Sequence, residues 1–395
     1  MTQLTVPSGS RSNGGGPRIS GRLRRQLERI PQYRRHAKHL RGLIAHSTVR
    51  KLANLALIES EWLLRRRVVR GHPYILFVDP TNVCNLKCPL CPTGTGDLGR
   101  PAGMLKFECF KDIIDRFAPY AYEVNLYNWG EPLLNKDIFR MIEYASARNL
   151  MPAMSSNLNT VRDTDIENIA QSKLEYLTVS LDGTTQDVYA HYRRQGNLDL
   201  VMANLKTLME RRRALDKKTP FVEWQFIVMK HNAHQIEDAR RLAKLVGVDL
   251  LRFIPVGLPF DAKDRARLRQ EWYPETGDPA QRAAAFQYQF LQRPRRSACF
   301  YLYRSITVNP DGRVSPCCIV YGQHNDFGDS LAGRFDDLWN NEKFQSARAL
   351  FAKDGRPTER TVCDRCHIFE QRARGPRPRA SATRPETPAS APATD

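Results

Sequence analysis

From Tyr74 onward the chain alternates short apolar runs with amphipathic stretches. Six runs read as strands: 74–78, 124–129, 152–155, 176–181, 221–228 and 250–254. Between them, apolar positions recur at helical spacing over 106–118, 136–148, 163–171, 197–213 and 233–246. This alternation predicts an α/β fold, a parallel sheet covered by helices. Six units fall short of a closed eight-unit barrel. The expectation for 74–257 is therefore a partial (β/α)6 TIM-like barrel, with its chemistry at the C-terminal ends of the strands.

The flanks are patterned differently. Residues 1–20 are rich in Gly, Ser and Pro and predict disorder. Residues 21–73 read as a basic helical extension in which Leu52, Leu55, Ile58 and Trp62 fall at helical spacing. Such a stripe suits packing on the body, contact with an anionic membrane surface, or an anionic partner, and apolar stripes most often mark burial. Residues 258–297 are polar and Arg-rich and read as a linker. A second cysteine-bearing segment spans 298–370, and 371–395 has the composition of a disordered tail.

Composition narrows the function classes. With 395 residues and 41% hydrophobic content, the chain can build a real core and is not wholly disordered. No apolar run approaches the roughly 18 residues of a membrane span. Of the 61 Lys/Arg and 42 Asp/Glu, residues 1–70 hold 16 and 3, a net of +13 out of +19. The body is only mildly basic. That argues against nucleic acid as its partner and confines polyanion binding, or peripheral membrane contact, to the extension. The start of the chain lacks a signal-peptide pattern, so a cytoplasmic location is expected. Nine cysteines in such a chain suggest metal binding or catalysis rather than disulfides.

Three of them form Cys84-Asn-Leu-Lys-Cys88-Pro-Leu-Cys91, directly after the first strand. Three thiolates in eight residues suit a soft metal, either zinc or an iron–sulfur cluster. A closed zinc site needs a fourth ligand, which this loop lacks. Three ligands to a four-iron cluster leave one iron open for a cofactor or substrate.

A C-x3-C-x2-C loop after the first strand of a partial barrel resembles the radical S-adenosylmethionine (radical SAM) superfamily. The resemblance implies a [4Fe–4S] cluster whose open iron binds SAM, and reductive cleavage of SAM to a 5′-deoxyadenosyl radical that abstracts hydrogen from substrate. It extends to Gly130-Glu131-Pro132 after the second strand, similar to the motif that contacts the SAM amine. Ser155, Ser156 and Asn157 after the third resemble the ribose-facing segment. Ser180 and Asp182 end the fourth strand and match another signature of the family. Arg193, with Arg194 an equal candidate, resembles the carboxylate contact, and Val256 sits where adenine packs. Leu90 departs from the aromatic residue common before the third cysteine.

Cys299, Cys317, Cys363 and Cys366 form a second set, enough to ligate one four-iron cluster or one structural zinc. Asn309-Pro310-Asp311-Gly312 reads as a hairpin turn between strands at 305–308 and around Val314. The segment resembles the SPASM and shorter twitch extensions of radical SAM enzymes, which implies one auxiliary [4Fe–4S] cluster.

The chemistry beyond radical generation rests on this likeness. Electron loss to the auxiliary cluster would make the enzyme an oxidoreductase, and a hydrogen atom returned by a thiol such as Cys318 would make it an epimerase. Cys109 reads as a buried helix residue. The spacing of the second set resembles that of radical SAM aminocyclitol dehydrogenases, so a small-molecule substrate of the sugar or cyclitol class is expected. A peptide-modifying maturase and a lipid-linked or phosphorylated substrate are the alternatives, and a zinc-stabilised nucleic-acid-binding protein is the reading from another class. The family also implies a flavodoxin or ferredoxin as electron donor.

Overall fold

The computed structural model describes residues 34–159, 162, 164–275, 298–352, 355–366 and 369. The segments 1–20 and 371–395, expected to be disordered, lie outside these residues. The six expected strands form: β1 Ile75–Val78, β2 Glu123–Leu126, β3 Met151–Ser156, β4 Tyr176–Ser180, β5 Phe221–Val228 and β6 Leu250–Pro255. Each pairs in parallel with the next in chain order.

Two helices precede the sheet, α1 over 34–45 and α2 Val49–Leu64. The crossovers are α3 Phe107–Phe117, α4 Ile138–Ala147, α5 Asp165–Gln171, α6 Gln186–Tyr192, α7 Leu198–Ala214 and α8 Ile236–Val246. Their periodicity explains the packing. α3 buries Phe110, Ile113, Ile114 and Phe117, and α4 buries Ile138, Met141, Ile142 and Ala145, single stripes laid on the sheet.

The hairpin expected beyond 300 is present as β7 Ser305–Val308 and β8 Arg313–Ser315, with Gly312 at φ +79° in the turn. Its position is the surprise. β7 pairs in parallel with the free edge of β1, and β8 and β9 (Gly328–Asp329) continue the same sheet. The order is β6-β5-β4-β3-β2-β1-β7-β8-β9. Six strands leave β1 with unpaired backbone groups on one side, and β7 satisfies them. Part of the span expected to be a linker, Arg265–Trp272, is a helix, α9, whose Trp272 is buried. The rest of it from 276 to 297 lies outside the described residues.

The extension packs on the body with a face the apolar pattern did not predict. α2 buries Lys51, Asn54, Ile58 and Glu61, while Leu52 faces outward. The pole it covers, at the N-terminal ends of the strands, is polar, so the helix turns its hydrogen-bonding side inward. Lys51 donates to Asn149 O (2.5 Å), Asn54 bonds both backbone groups of His72, and Glu61 accepts from Arg70 and Gly71 N–H. α1 adds ion pairs to strand-end carboxylates: Arg35–Glu223 (3.5 Å), Lys38–Glu175 (2.8 Å) and His39–Glu123 (3.4 Å).

His46, just after α1, lies 2.7 Å from Glu175. The hydrogen bond to Glu175 raises the His46 pKa. For Glu175, burial alone acts upward, but hydrogen bonds from His46 and Lys38 pull it down to about 2. A raised histidine stabilises the fold below its unfolded pKa of about 6.5, and that stabilisation disappears as pH climbs through the folded value. His46→Gln is therefore expected to lower the melting temperature most at pH 5.5 and progressively less up to pH 8.5, read by differential scanning fluorimetry. A penalty independent of pH would contradict the pairing.

Candidate active site

The cysteine loop leaves the C-terminal end of β1 and is held from several sides. Cys91 N–H donates to Cys88 O (3.1 Å), and Lys87 N–H to Arg194 O (3.1 Å). Three donors approach the sulfurs. Leu86 N–H lies 3.4 Å and Asn157 Nδ2 3.8 Å from Cys84 Sγ, and Arg193 Nη1 lies 3.9 Å from Cys88 Sγ. Burial pushes the Cys84 thiol up to about 12, and the neighbouring Glu131, Cys88 and Cys91 add to the rise. Cys88 is raised by burial as well, against the pull of Arg193.

The loop after β2 approaches this segment closely. A Cβ on Gly130 would stand 1.9 Å from Thr81 O and 2.8 Å from Val83 O, so only glycine fits. Glu131 follows, buried, with Val83 O accepting its N–H. Its carboxylate accepts from Ser156 Oγ (2.8 Å), Asn157 N–H (2.8 Å) and Leu133 N–H (3.2 Å). Burial lifts its pKa to about 7 despite these bonds. Pro132 opens a 3-10 turn, Pro132–Leu134. Asn157 Nδ2 also reaches Asn85 Oδ1 in the cysteine loop (3.0 Å). Ser155 and Ser180 are half-buried at the ends of β3 and β4.

Asp182, fully buried, accepts from Arg193 Nε (2.6 Å) and Ile227 N–H (2.6 Å), so one carboxylate orients the arginine that reaches Cys88. Burial raises the Asp182 pKa and Arg193 opposes it. Arg194 is exposed. Val256 packs with Leu86, Cys88, Leu90, Tyr192, Met229 and Trp272 in an apolar cluster separate from the main core.

The second cysteine set is also brought together. Burial raises the thiols of Cys317 and Cys363, and the charges of Cys299 and, for Cys363, Cys366 raise them further. Cys318 is lifted to about 11 by burial, with Tyr301 opposing, and it lies close enough to Tyr127 to raise that phenol. With its amide turned to satisfy both neighbours, Asn128 donates to Cys318 O (3.0 Å) and accepts from Trp129 Nε1 (2.9 Å). The loop after β2 therefore touches the segments next to both cysteine sets, at Val83 before Cys84 and at Cys318 after Cys317. Arg100, beyond the first set, pairs with Asp326 (2.6 Å) and Asp311 of the second segment. Cys109 packs at the edge of the main core.

The sequence profile of the radical SAM superfamily matches residues 78–243, and that of an iron–sulfur cluster-binding SPASM domain matches 299–367. The chain belongs to the radical SAM superfamily. It is similar to the mycofactocin maturase MftC of Mycobacterium tuberculosis, 24% identical over 321 residues, covering 75% of this chain and 76% of that protein. An AdoMet-dependent heme synthase of Methanosarcina barkeri is 27% identical over 176 residues, 44% of this chain and 48% of that one. The crystal structure of Streptococcus suis SuiB shares the fold, with a TM-score of 0.56 at 14% identity over 80% of this chain and 74% of that one.

Radical SAM and SPASM domains bind SAM and [4Fe–4S] clusters, and the donor sets here fit that cargo. The first set offers three thiols and no fourth, and the second offers four. A four-iron cluster takes one thiolate per iron, so three thiols leave one iron open and four leave none. Two contributors to this radical SAM site escaped sequence reasoning. Asp79, fully buried, accepts from Trp129 N–H (3.1 Å) and draws the loop after β2 toward β1, and burial raises it to about 7. Trp272 walls the apolar cluster from within the supposed linker. An Asp-Pro step ending the first apolar run is a signal for Asp79; Trp272 had none.

Gly130→Ala is expected to cost about 1–3 kcal/mol by overpacking against backbone and to reduce iron incorporation, read by calorimetry and iron assay. Gly257→Ala, where an added Cβ meets nothing within 4 Å, is expected to leave both unchanged. Equal behaviour of the two variants would contradict the close approach.

Proposed function

We propose that this radical SAM protein is a maturase that modifies a peptide. The observation that carries the reading is the reach of the likeness. Proteins named as maturases align over 75% of this chain, while those named as heme synthases align over 29–46% of it. A solved structure of SuiB bound to its precursor peptide SuiA has the same fold, with a TM-score of 0.55. The sugar or cyclitol expected from cysteine spacing has less support than this alternative.

In this reading Cys84, Cys88 and Cys91 hold the SAM-binding cluster, and Cys299, Cys317, Cys363 and Cys366 the auxiliary one. When bound and reduced by a flavodoxin- or ferredoxin-type donor, the first cluster with SAM supplies a 5′-deoxyadenosyl radical for hydrogen abstraction. Gly130, Glu131 and Pro132 receive the amino group of SAM. Ser155, Ser156 and Asn157 face its ribose, with Ser180 and Asp182 on the adjoining strand end. Asp182 holds Arg193 toward the carboxylate of SAM, and Val256, backed by Trp272, excludes water beside adenine. The extension closes the opposite pole and leaves the strand C-termini to the substrate. Cys318, next to Tyr127 at the mouth, is the thiol able to return a hydrogen atom.

The test is anaerobic turnover with SAM and dithionite, using the under-10-kDa fraction of a cell extract as substrate source. Stimulated 5′-deoxyadenosine release is expected to vanish when that fraction is treated with a protease, later removed, and to survive periodate. Release that resists protease and is lost to periodate would restore the sugar reading. Cys318→Ala is expected to cleave SAM with accumulation of unquenched or oxidised product. Normal product from it would remove Cys318 from the mechanism.

A further inference from the structure

The inward turn of polar residues on α2 has a counterpart on its outer side. Val49, Leu52, Ala53, Ala56 and Leu57 are exposed at i, i+3, i+4, i+7 and i+8, and past the exposed Ser60 the exposed Leu63 and Leu64 at i+14 and i+15 return to that face of the 16-residue helix. By the 1.5 Å rise per residue it is about 24 Å long. Val49 is 87% exposed, Leu63 68% and Leu64 65%. Leu40 and Ile44 of α1 and Val68 beyond α2 are exposed as well. Of the 13 exposed large hydrophobic residues among those described, eight lie between positions 40 and 68. Soluble surfaces scatter such residues singly, and a contiguous set marks a contact surface.

Charge identifies the partner. Arg34, Arg41, Arg50, Arg66 and Arg70 are exposed in or beside these helices. The acidic residues of α2 are spent inward: Glu61 is buried on Arg70 and Gly71 N–H, and Glu59 takes Tyr74 and Arg304. The first 33 residues add six more arginines against one glutamate. Trp62 turns inward to Ala298 O under the Arg304 guanidinium (3.8 Å), so the stripe is aliphatic. Aliphatic stripe, basic flanks and no outward acid are the features of a helix lying in a lipid headgroup layer.

We propose that the outer face of α1 and α2 docks this protein on an anionic phospholipid surface. The helices cap the N-terminal pole of the barrel, and the cysteine loop opens at the C-terminal pole. A membrane-seated molecule would therefore hold its active mouth toward the aqueous side. Among the described residues no helix is long and apolar enough to cross a membrane, in keeping with surface seating. The proposal is independent of the peptide reading above.

The test is flotation of the full-length, cluster-loaded protein with vesicles of phosphatidylcholine alone or with 30% phosphatidylglycerol. Wild type is expected to float only with the anionic vesicles, and at least tenfold less at 0.5 M than at 0.1 M salt. The double variant Leu52→Asp/Leu63→Asp alters two exposed side chains and is checked by its circular dichroism and iron content. It is expected to lose at least tenfold in bound fraction. Equal flotation of wild type and variant would overturn the proposal, leaving the basic residues alone responsible. So would absence of flotation, including the case in which light scattering shows a dimer that the variant abolishes, which would make the stripe an interface between copies.

Discussion

The carboxylate of Glu131 is the knot of the structure. It is buried, reaches Ser156 and Asn157 on the next strand end, and follows a glycine that lies against the backbone before the cysteine loop. Unpaired, such a group would carry a large desolvation penalty. Its partners satisfy it only if the chain after β2 meets that after β3, and the Glu131 N–H to Val83 O bond ties in the chain after β1. Asn157 then continues the chain of contacts to Asn85 and Cys84. The first cysteine set is thus positioned by hydrogen bonds among neighbouring strand ends as well as by its own loop.

The second set is positioned by the same sheet. Because β7 pairs with β1, the SPASM segment continues the barrel and is not hung from a hinge. The Arg100–Asp326 pair and the Gln323 N–H to Gly99 O bond (2.9 Å) fasten it to the residues just after the first cysteine loop. Burial raises the Asp326 carboxyl, with Arg100 opposing, and a pair this buried is destabilising when one member is removed. The first set thus follows β1 and Cys317 of the second follows β8 of the same sheet.

Local patterns made most of this legible. The six strands and five helices read from periodicity are present within a few residues. The Cys84, Gly130, Ser156, Asp182 and Val256 motifs fall at the ends of β1, β2, β3, β4 and β6 because a parallel βα repeat puts its loops on one pole. What stayed hidden was non-local. Pairing of β7 with β1 joins residues more than 200 positions apart. That Arg193 and not Arg194 meets Asp182 and reaches Cys88 depends on where Asp182 points. The buried face of α2 could not be read from hydrophobicity, because the surface it meets presents Asn149 O, His72 O and carboxylates. Trp272 sat in a stretch whose arginines concealed one turn of apolar contacts.

The central claim is that two cysteine sets, held by one continuous sheet, carry two four-iron clusters. Iron and acid-labile sulfide per chain after anaerobic reconstitution test it most directly. About eight of each are predicted, falling to about four when Cys84, Cys88 and Cys91 are replaced by alanine. Zinc with no sulfide in the wild-type chain would contradict the account and leave a zinc-stabilised protein in its place.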